Sequence, residues 1–283
     1  MLLHGFGTSS FLWRDVGPGI AVAGHTAFAL DLFGHGESDR PIDAPFGIAA
    51  QAEYVDQALV ALRIASAVFV GVDIGGGVAL RLAATRPERV RALVLINSVG
   101  FDDFPGEDIR AVQRNTARFA VRVSRSLLGA AALLRPLLTK SVARPENMPE
   151  RLIARYLAPF VGRDGVSHLL TLARAIRASD LEDLDLRELR VPVTVVRGEA
   201  DRWLDPRLGE RLANAIRDSR LVVIPEVARL LPEDDPEQTI TLVLEAIAAA
   251  ALAERGVTAA PSPGGTVVLA GSAIEGTPAG QTR

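Results

Sequence analysis

The stretch that decides the fold is Phe69–Gly77, which reads FVGVDIGGG. Its apolar first half is typical of a buried strand and its second half begins a helix, so Asp73 stands at the apex of a tight turn. A residue at such an apex lies, strained, at the carboxyl end of the strand, beside the helix N-terminus and facing a cleft. The flanking glycines are needed because side chains there would clash with neighbouring backbone. The stretch therefore predicts that the Asp73 carboxylate lies at the carboxyl edge of a parallel sheet and faces a cleft.

Outward from this turn, short apolar runs alternate with helix-like stretches. That alternation is typical of a parallel sheet packed between helices. The predicted strands are Thr26–Leu30, Ala67–Val70, Arg91–Ile96, Val191–Val196 and Leu221–Ile224, and the predicted helices are Gly47–Ile64, Ile74–Thr85, Pro206–Arg217 and Pro236–Leu252.

Between residues 101 and 189 the pattern is helical only, rich in Arg, Leu and Ala and punctuated by prolines, which indicates an inserted helical cap. The predicted organisation is an α/β core over 1–100 and 190–253 and a cap over 101–189. Residues 254–283 are rich in Gly, Pro, Ser and Thr, and we expect a disordered tail there. Within it, Thr266–Ala270 is a short run that could add to a sheet edge.

Composition excludes several classes of function. The 283 residues contain no cysteine, which excludes disulfides, zinc-thiolate sites and a Cys nucleophile. A net charge of −3 provides no basic surface for nucleic acid. The start of the chain does not resemble a signal peptide and no apolar run reaches the length of a membrane span, so we expect a cytoplasmic protein with no membrane partner. The chain has only four histidines: His4, His25, His35 and His168.

Four segments in order resemble the α/β-hydrolase superfamily over roughly residues 1–250. They are His4–Arg14 (HGFGTSSFLWR), Asp31–Asp39 (DLFGHGESD), the turn around Asp73 and Gly198–Asp201 (GEAD). The superfamily places its nucleophile in a G-x-Nuc-x-G turn. An Asp at that position resembles the branch of haloalkane dehalogenases, haloacetate dehalogenases and epoxide hydrolases. The resemblance implies a mostly parallel sheet flanked by helices, with a helical cap inserted.

The resemblance also implies roles for individual residues. Asp73 would attack an electrophilic carbon to form an ester, and the backbone amides of Phe6 and Ile74 would form the oxyanion hole. A histidine oriented by Asp201 would then activate water, with Asp102 a second candidate for the orienting acid.

The position of that histidine is occupied by Arg229, within Val227–Glu237 (VARLLPEDDPE). A guanidinium stays protonated at neutral pH and cannot take a proton from water. We therefore expect hydrolysis by the route of the superfamily to be impaired. Arg229 is either paired with Asp73 or Asp201, or it is a surface arginine on a degraded loop.

Candidate substrate-binding residues are Trp13, Tyr156 and His168, each with an alternative role in packing. Tyr156 is the tyrosine available in the cap to protonate an epoxide, and His168 is a candidate substitute base. Ile74 follows the nucleophile where halide-binding dehalogenases have a tryptophan, which disfavours haloalkane dehalogenation.

The sequence thus predicts an enzyme that acts through Asp73 on a small to medium apolar electrophile, an epoxide or an ester, without metal or cofactor. One alternative is a non-catalytic homologue that binds a small ligand. Another is a cofactor-free lyase or cyclase that uses Asp73 and Arg229 as a charged pair.

The start of the chain raises a separate question, because two further strands precede the His4 loop in the superfamily. Either the gene start lies further upstream, or the sheet is shortened and Thr26–Leu30 is an exposed edge. An exposed edge strand can pair with another chain, so a homodimer is possible.

Overall fold

A computed structural model describes residues 1–41, 43–102, 104–114, 129–162, 164–256 and 266–268. Within these residues seven parallel strands form one sheet in the order β2-β1-β3-β4-β5-β6-β7. The strands are β1 (Leu2–Leu3), β2 (Ala29–Leu30), β3 (Ala67–Val72), β4 (Val90–Ile96), β5 (Val193–Gly198), β6 (Ser219–Ile224) and β7 (Thr266–Val268). The central strands β3 to β6 are almost entirely buried, which explains their near-continuous apolar sequences.

The four predicted core helices are present with small shifts of their ends: α2 (Ile48–Ala61), α3 (Ile74–Thr85), α8 (Leu208–Ala215) and α10 (Pro236–Glu254). Two short core helices, α1 (Gly17–Val22) and α9 (Leu231–Asp234), are not among those predicted. α3 and α10 both pack on β3 and β4. α10 begins sharply because the Asp235 carboxylate accepts a hydrogen bond from the Gln238 amide and Pro236 occupies the first turn.

By length and composition α10 is apolar enough to cross a membrane, with a mean hydropathy of 1.2 over an 18-residue window. Its buried positions recur at helical spacing and include Leu242, Val243 and Ala246. They pack against the sheet, as the inner face of a core helix does.

The inserted segment is helical where it is described. Its helices are α4 (Glu107–Arg114), α5 (Ala131–Lys140), α6 (Glu150–Leu157) and α7 (Gly165–Ala175).

The strand predicted over Thr26–Leu30 is shorter in the structure. It covers Ala29–Leu30, which pair with the two residues of β1 at one edge of the sheet. At the other edge, the run Thr266–Ala270 that could add to the sheet does so over Thr266–Val268, which pairs in parallel with β6. An unpaired edge offers free backbone donors and acceptors, and a Thr-Val-Val run has high strand propensity. The remaining residues beyond 256 lie outside the described part of the chain.

The register of the central strands aligns their carboxyl ends. Val72 pairs with Ile96, Ile96 with Val196, and Gly198 with Ile224. The segments that follow β3, β4, β5 and β6 therefore meet at one edge, which is where open parallel sheets bind ligands.

Candidate active site

Asp73 occupies the turn between β3 and α3 in a conformation that few residues adopt, with φ of 55° and ψ of −119°. Such a backbone costs about 1–3 kcal/mol and persists only where the surroundings hold it. The turn requires glycine on both sides of Asp73. A Cβ on Gly75 would lie 2.5 Å from the carbonyl oxygens of Leu3 and His4, and a Cβ on Gly71 would overlap the backbone of Gly75. The predicted strained turn is thus present.

The Asp73 carboxylate is held through one oxygen. Oδ2 accepts a hydrogen bond of 2.9 Å from the Phe6 amide and forms an ion pair with Nη2 of Arg229. The side chains of Asp73 and Arg229 are only 8% and 4% exposed, so the ion pair is largely shielded from bulk water. Of the two predicted oxyanion amides, only that of Phe6 contacts the carboxylate, and Ile74 contributes its side chain to the cavity wall.

The loop that presents the Phe6 amide is supported by His4. Nε2 of His4 accepts from the Leu32 amide, so Nδ1 donates to the Gly5 carbonyl. Burial lowers the pKa of His4, which keeps this ring neutral and its hydrogen-bonding pattern constant. His4 therefore shapes the loop and does not act on Asp73 directly.

Arg229 follows β6 and lies between Asp73 and an aromatic ring. Its Cζ is 4.6 Å from the ring centroid of Trp203, a cation–π contact. The alternative of a surface arginine does not describe this residue, which is buried and paired with Asp73.

Asn97 positions this loop, and the sequence analysis missed it. Its side-chain amide donates to the carbonyls of Ala228 and Arg229, and its oxygen accepts from the Gly198 amide. One buried residue at the end of β4 thus joins the ends of β5 and β6. A positive φ of 41° at a non-glycine residue marks the position in the structure, but nothing in the sequence does.

The same loop is also attached to the cap. The Asp234 carboxylate accepts from the amides of Ala228 and Ala143 and from the side chain of Asn147. Burial raises the pKa of Asp234, and these hydrogen bonds oppose the rise. The position of Arg229 is therefore linked to that of the helices over it.

Asp201 lies near Arg229 and Asp73 but forms no ion pair with the guanidinium in the described structure. Its Oδ1 accepts a hydrogen bond of 2.8 Å from the Trp203 amide. Burial raises its pKa to about 6, although the Trp203 amide and the Arg229 charge act in the opposite direction. The second candidate acid, Asp102, is exposed and lies 3.5 Å from Arg211.

A small cavity of about 20 Å³ adjoins Asp73, which is room for about one water molecule. Its walls are mainly apolar and include Phe6, Ile74, Val99, Phe104, Ile109, Ile176, Trp203 and Arg229. No histidine lines it among the described residues, and these also contain no cluster of acidic residues or histidines that could hold a metal ion.

The three predicted substrate-binding residues lie away from this cavity. Trp13 is buried in the core. The Tyr156 hydroxyl donates to Glu233, which also receives two 2.7 Å hydrogen bonds from Arg14. Burial raises the pKa of Tyr156 well above its usual value, so its proton stays in this network.

His168, the third of them, is held by Gly34 and two rings. Its Nε2 lies 2.6 Å from the Gly34 carbonyl, and its ring packs between Phe46 and Phe160. The structure therefore brings Asp73, Arg229, Phe6 and Ile74 together, with Asp201 nearby, and leaves Trp13, Tyr156 and His168 in other contacts.

Comparisons with known proteins agree with this architecture. The family described as alpha/beta hydrolase fold matches residues 1–236. A 2-hydroxymuconate semialdehyde hydrolase of Pseudomonas sp. (strain CF600) is 33% identical over 234 residues, covering 79% of this chain and 77% of that protein. A pimeloyl-[acyl-carrier protein] methyl ester esterase of Neisseria meningitidis serogroup B / serotype 15 (strain H44/76) is also 33% identical over 234 residues, covering 80% and 84%.

Among solved structures, a haloalkane dehalogenase loop variant from Bradyrhizobium elkanii superposes with a TM-score of 0.71 at 28% identity, covering 89% of this chain and 90% of that one. The parallel sheet, the turn that carries Asp73 and the match over most of the chain lead to one conclusion. The protein belongs to the α/β-hydrolase fold family.

Proposed function

We propose that this α/β-hydrolase fold protein acts on a small to medium apolar electrophile, such as an epoxide or an ester, with Asp73 as the nucleophile. The observation that carries the proposal is the orientation of the Asp73 carboxylate. Oδ2 is bound by the Phe6 amide and by Arg229, whereas the described residues donate no hydrogen bond to Oδ1. Oδ1 is thus the oxygen available for attack, and Oδ2 would become the carbonyl oxygen of the product on Asp73. That product is an ester when Oδ1 opens an epoxide, and a mixed anhydride, with the alcohol part released as alkoxide, when Oδ1 attacks the acyl carbon of an ester.

The donors on Oδ2 suit that product. As an ester forms, its carbonyl oxygen keeps the Phe6 amide, and during later attack on the ester the same amide would stabilise the developing oxyanion. The cavity walls beside Asp73 are mainly apolar, which suits an uncharged substrate, and a substrate larger than one water molecule has to widen the cavity as it binds.

Release of product is the slow step in this proposal. Arg229 occupies the position of the base, His4 makes hydrogen bonds to Gly5 and Leu32, and the candidate substitute base His168 makes one to Gly34. Asp201 is the candidate general base in this proposal, because its pKa of about 6 lies near neutral pH, as the pKa of an efficient general base does. We expect an ester on Asp73 that forms faster than it is hydrolysed.

Mass spectrometry of the intact protein tests the proposal. The protein is incubated separately with an epoxide, a haloalkane and an activated ester, and a mass increase is mapped by peptide analysis. The expected result is an adduct on Asp73 that is absent from Asp73→Asn. An adduct that persists in the variant, or turnover that the variant retains, would contradict a nucleophilic role for Asp73.

A second candidate is a non-catalytic homologue that binds a small ligand. The buried Asp73–Arg229 pair favours it, because a carboxylate neutralised by a guanidinium is a weaker nucleophile. Absence of both adduct and turnover, together with measurable binding of an apolar ligand, would support this candidate. A lyase or cyclase that uses the charged pair would instead convert substrate without an adduct.

A further inference from the structure

Two buried N–H groups beside Asp73 have no acceptor within the described part of the chain. They are Nε of Arg229 and Nε1 of Trp203, and both residues line the cavity next to Asp73. Buried donors are nearly always paired in folded proteins, because an unpaired one has lost its hydrogen bonds to water without a replacement. A group bound in the cavity that these two residues line is therefore a candidate acceptor for both donors.

The charge on Arg229 indicates which kind of group that is. In the free protein the Asp73 carboxylate neutralises the guanidinium. Once Oδ1 of Asp73 bonds to a carbon atom, the carboxylate becomes an uncharged ester while the guanidinium keeps its charge. A buried cation that loses its counter-charge is strongly destabilised, so it requires a new anion at the same moment.

We propose that Arg229 and Trp203 together bind the anion that is displaced when Asp73 attacks. This inference rests on the proposed role of Asp73 as the nucleophile. The bond from Oδ1 to carbon forms as the bond from carbon to the leaving atom breaks, and the leaving atom takes the electron pair. That atom is a halide for a haloalkane and the alkoxide oxygen for an epoxide, which then takes a proton from solvent.

The assignment gives Arg229 a catalytic role other than that of the missing base. The negative charge moves from Asp73 to the leaving atom, and the guanidinium stays paired throughout. The cavity has room for about one atom of that size, and the Trp203 ring keeps the guanidinium in place through the cation–π contact. A tyrosine proton donor is not needed for this step, in keeping with the bond from Tyr156 to Glu233.

Bromide binding tests the anion site without any reaction. Asp73→Asn keeps the shape of the side chain and removes its charge, which imitates the uncharged ester. In halide-free buffer, titration calorimetry with sodium bromide should show at least about tenfold tighter binding to this variant than to the wild type. Adding Trp203→Phe, which keeps the ring and removes the N–H, should weaken bromide binding about tenfold or more.

The matched control is Trp13→Phe in the Asp73→Asn background, because Trp13 is buried in the core away from the cavity. It should leave bromide affinity unchanged. Circular dichroism confirms that each variant is folded. Equal bromide binding by wild type and Asp73→Asn, or no effect of Trp203→Phe, would overturn the inference.

A second measurement separates this inference from the proposed function. Rates of adduct formation with 1-bromobutane and 1,2-epoxybutane are compared in wild type and Trp203→Phe. A slowing of about 10- to 100-fold is expected with whichever probe places its leaving atom at Trp203. If adducts form at unchanged rates with both probes, the anion site is refuted and the nucleophile stands. If the wild type forms no adduct, the nucleophile fails, and bromide binding still decides whether the anion site exists.

Discussion

Removal of the Arg229 guanidinium should be among the most destabilising single changes near the site. Arg229→Met keeps most of the side-chain volume and deletes the charge. Asp73 would remain with the Phe6 amide as its one described donor, at a side-chain exposure of 8%. Removing one partner of a buried ion pair typically lowers the free energy of unfolding by about 3–5 kcal/mol. Because the Phe6 amide still donates to the Asp73 carboxylate, we expect a loss near the lower value. For a chain of this size about 3 kcal/mol corresponds to about 10 °C in Tm.

The assay is urea unfolding followed by circular dichroism, with Arg190→Met as the matched control. Arg190 pairs with Glu188 at the surface, where both side chains are more than half exposed, and its loss should cost less than about 1 kcal/mol. Asp73→Asn combined with Arg229→Met should be more stable than Arg229→Met alone, because the lone buried charge is gone. If Arg229→Met costs no more than the control, or if the two changes add independently, the pair is not a buried ion pair of this strength.

Three further outcomes follow from the contacts around the site. Asp234→Ala leaves the Ala228 amide without its acceptor and should lower the free energy of unfolding by about 1–3 kcal/mol, measured by urea unfolding. The variant should also form the adduct at Asp73 more slowly. An unchanged rate of adduct formation would show that the loop holds its position without Asp234. Burial raises the pKa of Asp201 to about 6, so the folded protein binds a proton at Asp201 more tightly than the unfolded chain does. The free energy of unfolding should therefore fall as the pH rises from about 4 to about 6. Asp201→Asn should flatten that part of a Tm–pH curve and stabilise the protein by up to about 3 kcal/mol at pH 8, and an unaltered curve would contradict this prediction. Tyr156→Phe should lower stability by about 1–2 kcal/mol and leave adduct formation unchanged, whereas loss of the adduct would place the hydroxyl in the chemistry.

Much of the fold could be predicted from local sequence. The helix that begins at Ile74 and ends at Thr85 was predicted residue for residue, because a tight glycine turn precedes it and the Arg86–Pro87 step ends it. The strands β3 and β4 were recognised because buried parallel strands are continuously apolar. For Thr266–Ala270 the sequence leaves open whether the run adds to the sheet, since pairing of Thr266–Val268 depends on the free edge of β6 as well as on its own composition.

The candidate site divides in the same way. The tight turn around Asp73 and the arginine at residue 229 can both be seen in the sequence, because residue identity and spacing are local properties. Burial of Arg229 against Asp73, its stacking on Trp203 and its support by Asn97 depend on four strand ends meeting at one edge of the sheet. The positions of Tyr156 and His168 away from the site also depend on the tertiary structure, since each forms a hydrogen bond to a residue more than 70 positions away in the chain. The sequence by itself determined which side chains are available at the ends of the strands. Only the tertiary structure decided their partners, because contacts between residues far apart in the chain exist only after the sheet has formed.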